Sequence, residues 1–413
     1  MGGTFQDFTP EQVDRARRYH RPLYLAFGID LVIGLVVLTA LAFRSPGDAL
    51  FGLVDGLPWW AAAVSYAALI VAVTALIDLP LAYWRGQAHD KRWGFSTQSR
   101  SAWIADRAKA LLVSAVLTCG VLVGYIAVAR SFPRLWPAVG APGAALVVLV
   151  LSFIAPVVLE PIFNRFRPLG DQSMAGELRA LAERAGVPVR DILVADVSRR
   201  TRKENAYVSG LGKTRRVVVY DTLLARAAPS EVRLVAAHEL GHRRLRHVAG
   251  WTSIGMTGAA VTVLLLWALF RSSWVLRAIG AGGPGDPRVI PFVLLVAAAF
   301  QVIGMPAAAW LSRRWESAAD RFSLELTGDL AGFEESFRGL AISNLLDLDP
   351  PRAVYLIAFT HPTPPERIAA GRRWAAMAGR AWADGVAETA GGRGLGSTSV
   401  PPEGGDGTID EAE

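Results

Sequence analysis

Six stretches of this chain are apolar over the length needed to cross roughly 30 Å of hydrocarbon: approximately 23–43, 58–83, 110–129, 137–159, 250–270 and 289–311. The fourth contains Pro142 and Pro156, and the second carries Asp78 near its end. Polar sequence separates them unevenly. It fills the N-terminus to about Arg21, the 84–109 loop, an insert at 161–249 and everything after 311. Within the insert, 174–185 reads as a helix stopped by Gly186-Val187-Pro188. Ile192–Val197, Ala206–Ser209 and Arg216–Tyr220 read as short β segments, the last two joined by a Gly210-Leu211-Gly212 turn. Pro229-Ser230-Glu231 then opens a helix with Ser230 as its N-cap, expected to run unbroken into the fifth apolar stretch. The pattern predicts a mainly α, polytopic membrane protein of about six spans with a polar domain holding a small β-sheet. It divides into a four-span region (1–160), the insert (161–249), a two-span hairpin (250–311), a helical C-terminal region (312–385) and a Gly-rich acidic tail (386–413) expected to be disordered.

Composition agrees with a membrane protein: 52% of residues are hydrophobic and only 19% charged, below the usual quarter. Cys119 is the single cysteine, so no intramolecular disulfide forms and nothing points to secretion. No signal-peptide pattern is present, because the first apolar run is too long for one. A net charge of +7 is accounted for by loop asymmetry, and no nucleic-acid motif accompanies it; no nucleic-acid partner is expected. Six spans place Arg15, Arg17, Arg18, Arg21, Arg85, Lys91, Arg92, Arg100, Arg107 and Lys109 on the side of the insert, against Arg44, Arg130, Arg134, Arg271, Arg277 and Arg288 opposite. The positive-inside rule puts the insert and the C-terminal region in the cytoplasm. Richness in Ala, Arg and Gly points to a bacterial plasma membrane, with membrane lipid as the surrounding partner. Asp30 and Asp78 lie near span ends and receive no role, and Trp59-Trp60 and the Trp93–Trp103 stretch read as interfacial anchors.

The chemistry is carried by His238-Glu239-Leu240-Gly241-His242. Two histidines four apart on a helix lie one turn apart on one face and can ligate one metal, while the glutamate between them can take a proton from a water there. That is the zinc-hydrolase pattern H-E-x-x-H, with one Zn2+ per chain. A catalytic zinc needs a third protein ligand. The spacing that would recruit a near histidine fails, since Leu245 and Val248 stand where Gly and His are needed. His247, nine residues from His238, falls about half a turn away on a continuous helix. The hairpin of the fifth and sixth spans returns the chain to the same membrane face just past 311, which makes Glu316 the expected third ligand. Asp320 shares its helical face and is expected to complete the catalytic set by orienting a ligand imidazole; Glu325 faces away.

With these residues placed, the chain resembles the type I CAAX prenyl proteases, integral-membrane zinc endopeptidases, from about Trp84 to Trp374. The resemblance is carried by His238–His242 with His247, Ser312-Arg313-Arg314-x-Glu316-x-x-x-Asp320, and Asn205-Ala206-Tyr207 leading to Gly210-Leu211-Gly212-Lys213. Val219–Leu223, Pro161–Asn164, and Thr360-His361-Pro362 followed by Glu366-Arg367-Ile368 complete it. It implies a cytoplasmic zinc-metalloprotease domain acting on a polypeptide that is lipidated or membrane-associated. Zinc would sit on His238, His242 and Glu316, with Glu239 as general base. It further implies that Asn205, Ala206 and Tyr207 pair with substrate backbone. His361 and Arg367 would contact the scissile carbonyl or the substrate's terminal carboxylate. Eukaryotic members carry a further spanning helix that has no counterpart in this pattern. Two other functions fit the same residues: a bacterial quality-control protease of membrane proteins with no isoprenyl requirement, and a silent scaffold binding metal structurally.

Overall fold

In the computed structural model, which describes residues 7–43, 45–210 and 212–391, six helices have the length and apolarity to cross a membrane: Pro10–Phe43, Trp59–Arg92, Arg100–Ser131, Trp136–Phe163, His247–Phe270 and Pro287–Thr327. The tail beyond 391 lies outside the described residues, as do Leu211 and Arg44. The chain forms two units, Met1–Gly371 and Arg372–Glu413, and every contact described below lies within the first.

All six apolar stretches are helical, but several helices run well past the apolar sequence. Helix α1 (Pro10–Phe43) begins far ahead of its apolar run. Helices α2 (Trp59–Tyr83) and α3 (Arg100–Ser131) follow, α2 passing through a π-helical turn at Trp84–His89. Helix α4 (Trp136–Ile154) likewise continues through a π turn, Ala155–Leu159, to Phe163. Both π turns follow or contain a proline, Pro80 or Pro156, whose missing N–H interrupts the regular ladder. Side chains from all these helices meet in an apolar cluster that includes Tyr66, Ile70, Ile126, Trp136, Phe270 and Phe292.

The insert starts with strand β1 (Phe166–Pro168) and helix α5 (Gln172–Arg184), capped by the Asp171 carboxylate accepting from the Met174 N–H at 3.0 Å. Strands β2 (Asp191–Ala195), β3 (Ala206–Ser209) and β4 (Arg216–Tyr220) complete a sheet of order β1-β2-β4-β3. β2 and β4 are parallel, and both outer pairs are antiparallel. Strand β1 was not foreseen, since three residues ending in proline carry no alternation, and β2 stops at Ala195, two residues short of the expected Val197. One face of the sheet packs with α5 and with helix α6 (Pro229–Arg244), which presents Val232, Ala236 and Leu240 at i, i+4 and i+8.

Two local expectations for α6 are corrected. Ser230 is not the N-cap. Pro229 occupies the first helical position, so the cap is Ala228, whose N–H donates to the Glu231 carboxylate at 3.1 Å. The helix also does not run on into the fifth span. It ends at Arg244, and Arg246 takes the left-handed conformation (φ 59°) before α7 (His247–Phe270) begins. Helix α8 (Ile290–Thr327), at 38 residues, is about 57 Å long, so its last third projects beyond the hydrocarbon until Gly328 ends it with a positive φ. Helices α9 (Leu330–Ser343), α10 (Arg352–Ala358) and α11 (Pro364–Gly391) follow.

Candidate active site and its metal-ligand set

Helix α6 reaches α8 side by side because residue 241 is glycine. A Cβ there would stand 3.3 Å from the Ala319 backbone and 3.1 Å from Phe322 Cδ1. That approach sets Glu316 and Asp320, one turn apart on α8, against His238 and His242, one turn apart on α6. Four donor atoms converge. The two Nε2 atoms lie 3.1 Å apart, His238 Nε2 is 3.3 Å from Glu316 Oε2, and His242 Nε2 is 3.2 Å from Glu316 Oε1. His238, Glu316 and Asp320 are buried; His242 is half-buried.

These residues fit a tetrahedral metal. Ligands held about 2.0–2.1 Å from zinc stand about 3.3 Å from one another, which is the spacing seen. The protonation pattern argues the same way. His238 donates from Nδ1 to Asp320 Oδ1 at 2.9 Å, and His242 Nδ1 lies 2.9 Å from His247 Nδ1. With both Nδ1–H groups so engaged, the two Nε2 lone pairs face each other and call for a cation between them. Glu316 Oε2, buried, has no hydrogen-bond partner. Burial alone would lower the His238 pKa, but the Asp320 and Glu316 carboxylates beside it outweigh this and push it up to about 9: the protein alone already favours positive charge at this point. Glu239 also lies close, with a carboxylate oxygen within 4.8 Å of the histidine nitrogens. It makes no hydrogen bond to them and lines a cavity instead. Removal from bulk water raises its pKa, the direction that suits a proton carrier near neutral pH.

The break at Arg246 decides where His247 goes. A continuous helix would send it to the far side; the left-handed residue folds the chain back, so His247 is buried against His242 and stacked on Trp315 (centroids 5.0 Å apart, planes at 2°). Trp315 in turn packs over Gly250, where a Cβ would come within 2.5 Å of its ring.

Arg367, at the start of α11, holds Asp320 with both arms, Nε to Oδ2 at 2.8 Å and Nη2 to Oδ1. It lies 3.6 Å from Glu316 Oε2 and its guanidinium sits 3.9 Å from the Phe337 ring centroid. Asp320 is thus fixed from both sides, by an imidazole and a guanidinium. His361 is more exposed, its Nε2 3.4 Å from Glu316 Oε1 and its Nδ1 2.9 Å from Thr360 Oγ1. The two faces of β3 differ. Tyr220 N–H donates to the Asn205 carbonyl at 3.0 Å, so alternate residues Ala206 and Val208 turn their backbone groups to the open edge. The Ala206 N–H is taken by Asn205 Oδ1 at 2.9 Å and the Val208 carbonyl by Arg243. The Ala206 carbonyl and Val208 N–H are the remaining edge groups.

One cavity of about 800 Å3 is lined by His238, Glu239, Glu316, His361, Arg367 and Asn205, while Ala206 and Tyr207 are not among its lining residues. Its other wall is apolar, with Leu234, Phe333, Phe337, Leu340 and Phe359. Tyr19, His20 and Tyr24 close it from the early turns of α1. His20 Nε2 is 2.7 Å from the Leu345 carbonyl and Tyr24 donates to Asp347. None of these α1 residues was singled out from the sequence. The signal available was weak: Tyr19, His20 and Tyr24 flank Pro22, which by type argues for a break, yet α1 runs through it.

A six-span helical protein whose polar domain sets an H-E-x-x-H helix against a downstream Glu and Asp, over a cavity, defines a class: membrane metalloproteases. The chain belongs to peptidase family M48, whose model matches residues 168–375; residues 5–165 match the CAAX prenyl protease N-terminal model, described as five membrane helices, where this chain has four candidate spans. It is 29% identical over 320 residues to a Bacillus subtilis protein described as the uncharacterized metalloprotease YhfN, covering 74% of this chain and 72% of that one. It is 28% identical over 335 residues to Saccharomyces cerevisiae CAAX prenyl protease 1, covering 75% and 72%. The crystal structure of S. mikatae Ste24p has the same fold, with a TM-score of 0.79 over 89% of this chain and 91% of that one at 23% identity. The protein is an integral-membrane metalloprotease.

Proposed function

We propose that the chain is a zinc endopeptidase, with one Zn2+ held by His238, His242 and Glu316. The observation that supports this most directly is the convergence of two facing Nε2 atoms and an orphaned buried Glu316 oxygen. When bound, the metal supplies Lewis acidity to a water and to the scissile carbonyl. Glu239, on the cavity wall beside the two imidazoles, takes the water's proton and later delivers it to the leaving amine. Asp320 keeps His238 in one tautomer, and Arg367 keeps Asp320 in place. His361, on the cavity side of Glu316, donates to the carbonyl oxygen as negative charge develops there. Arg367 also lines the cavity and contributes positive charge toward a substrate carboxylate.

The substrate is a polypeptide, membrane-associated or lipidated. It adds an extended strand to β3, through the Ala206 carbonyl and Val208 N–H, with Asn205 and Tyr207 framing it. The apolar wall opposite accepts a large hydrophobic or prenyl group. The site faces the cytoplasm of a bacterial cell, as the Arg-rich loops on its side support.

The test is a purified full-length protein assayed on a farnesylated CAAX peptide beside its unmodified counterpart. Cleavage should vanish with a chelator and return with Zn2+, and Glu239→Gln should bind Zn2+ normally while turning over at least 100-fold more slowly, the order expected for losing a general base. Near-normal turnover by Glu239→Gln would refute the mechanism.

A further inference from the structure

A second cavity, of about 610 Å3, lies further along α6, one turn beyond Glu239, where Arg243 lines it. The membrane helices line it with Leu149 and Phe153 of α4 and Met256 of α7, interspersed with the hydroxyls of Ser152, Thr252 and Ser253. Its rim holds three guanidinium groups, Arg215, Arg243 and Arg246, at the level where α4 and α7 leave the apolar zone. Among the described residues none of the three forms an ion pair. Arg243 makes its bonds to the Val208 carbonyl. The one carboxylate at the rim, Glu160, is already engaged by Arg216 at 3.1 Å and by Ser209 Oγ at 2.6 Å. Three guanidinium groups therefore share a partly enclosed site with one carboxylate, Glu160, that Arg216 already pairs, which leaves positive charge in excess. Arg246 is there because its left-handed backbone turns the chain between α6 and α7 at that level.

An excess of cations beside apolar side chains of the spanning helices matches a molecule with an anionic head and hydrocarbon tails. Guanidinium forks suit phosphate oxygens, and basic pockets between spanning helices are a recurring means of holding anionic lipid headgroups. A peptide strand is the poorer fit, because Phe153 is exposed on the membrane-facing surface, where a bilayer lipid enters sideways without leaving the hydrocarbon.

We propose that this cavity binds the phosphate headgroup of an anionic membrane lipid, its acyl chains lying along α4 and α7. The cavity also takes in Val208, at the far end of the proposed substrate strand, so the test reads lipid binding directly and not through activity. Full-length protein in zwitterionic detergent is exposed to equimolar phosphatidylglycerol and phosphatidylcholine, and retained lipid is read by native mass spectrometry. Phosphatidylglycerol should be retained at least tenfold more than phosphatidylcholine. Arg215→Gln with Arg246→Gln should lose that preference while keeping the wild-type melting temperature in phosphatidylcholine; Arg243 is left alone because it holds β3. If that double variant melts early, Phe153→Glu serves instead, since it places an anion among the apolar side chains of the spanning helices and should also abolish the preference. Equal retention of the two lipids by the wild type would overturn the proposal. So would retention unchanged in the variants, or displacement of the lipid by millimolar inorganic phosphate alone, which would make the site one for free anion. A shift in peptide KM in Arg215→Gln/Arg246→Gln with lipid absent would assign the cavity to substrate and overturn it as well.

Discussion

Asp320 accepts from His238 Nδ1 on one side and from both arms of Arg367 on the other, and all three groups are buried. Removing one partner of such a pair leaves the other charge desolvated and alone, at a cost of about 3–5 kcal/mol. Asp320→Ala should therefore lower the melting temperature sharply, and should weaken metal affinity by about 10–100-fold because His238 loses the group that fixes its tautomer. Asp320→Ala combined with Arg367→Met removes both charges. It should regain much of the lost stability yet keep the weak metal binding, a split readable by thermal melts and metal titration. A double variant no more stable than Asp320→Ala would show that Arg367 is not the strained partner. His361 differs, being exposed toward the cavity and outside that buried pair. His361→Ala should keep metal and melting temperature while kcat falls about 100- to 1000-fold, as when one oxyanion donor is lost; an unchanged kcat would remove it from the mechanism.

At the scale of elements, the sequence made His238, His242, Glu316 and Asp320 legible because each pair obeys helical spacing and the hairpin of spans fixes its level. What it concealed are the places where one residue changes a direction. Arg246 takes φ 59° without glycine or asparagine to announce it, so His247 could not be placed on His242 by counting along a helix. The Asp320–Arg367 contact joins positions 47 apart, in elements whose packing no local pattern encodes. Strand β1 has too few residues to alternate. Gly241, by contrast, was visible only as part of a motif, and the packing explains it: it is the point where α6 and α8 touch. Gly241→Val should drive Glu316 away from the two imidazoles. The expected result is loss of metal and of peptidase activity together, with the helical circular dichroism retained; full metal content in Gly241→Val would show that the contact does not set the site.

Across the whole molecule, the site's side of the membrane depends on six spans acting together, and two kinds of charge bear on it. At the ends of the spans, Arg85 pairs with Asp30 at 3.2 Å and Asp78 at 3.4 Å, and Arg107 pairs with Asp78 at 2.5 Å. This chain of ions ties α1, α2 and α3 together near the ends that lead into the polar domain, so the acidic residues that looked unassigned neutralise arginines where hydration is poor. The unpaired remainder of the positive-inside signal stays in the loops on the same side. An odd number of crossings would put the N-terminal arginines and the insert on opposite faces, yet the early turns of α1 and the insert line one cavity, which requires them on the same face. Labelling should show this directly. Cys119 lies in α3 as the single cysteine, so Cys119→Ala gives a clean background for Ser173→Cys in the insert and Ser131→Cys at the opposite end of α3, both exposed. In right-side-out vesicles an impermeant maleimide should label the residue-131 cysteine and spare the residue-173 one, and in inverted vesicles the reverse. Labelling at residue 173 from the outside would turn the site away from the cytoplasm while leaving its chemistry intact. Labelling of both from one face would mean that α4, the one span between residues 131 and 173, does not cross the bilayer, and the six-span arrangement that puts α1 and the insert on one side would fail.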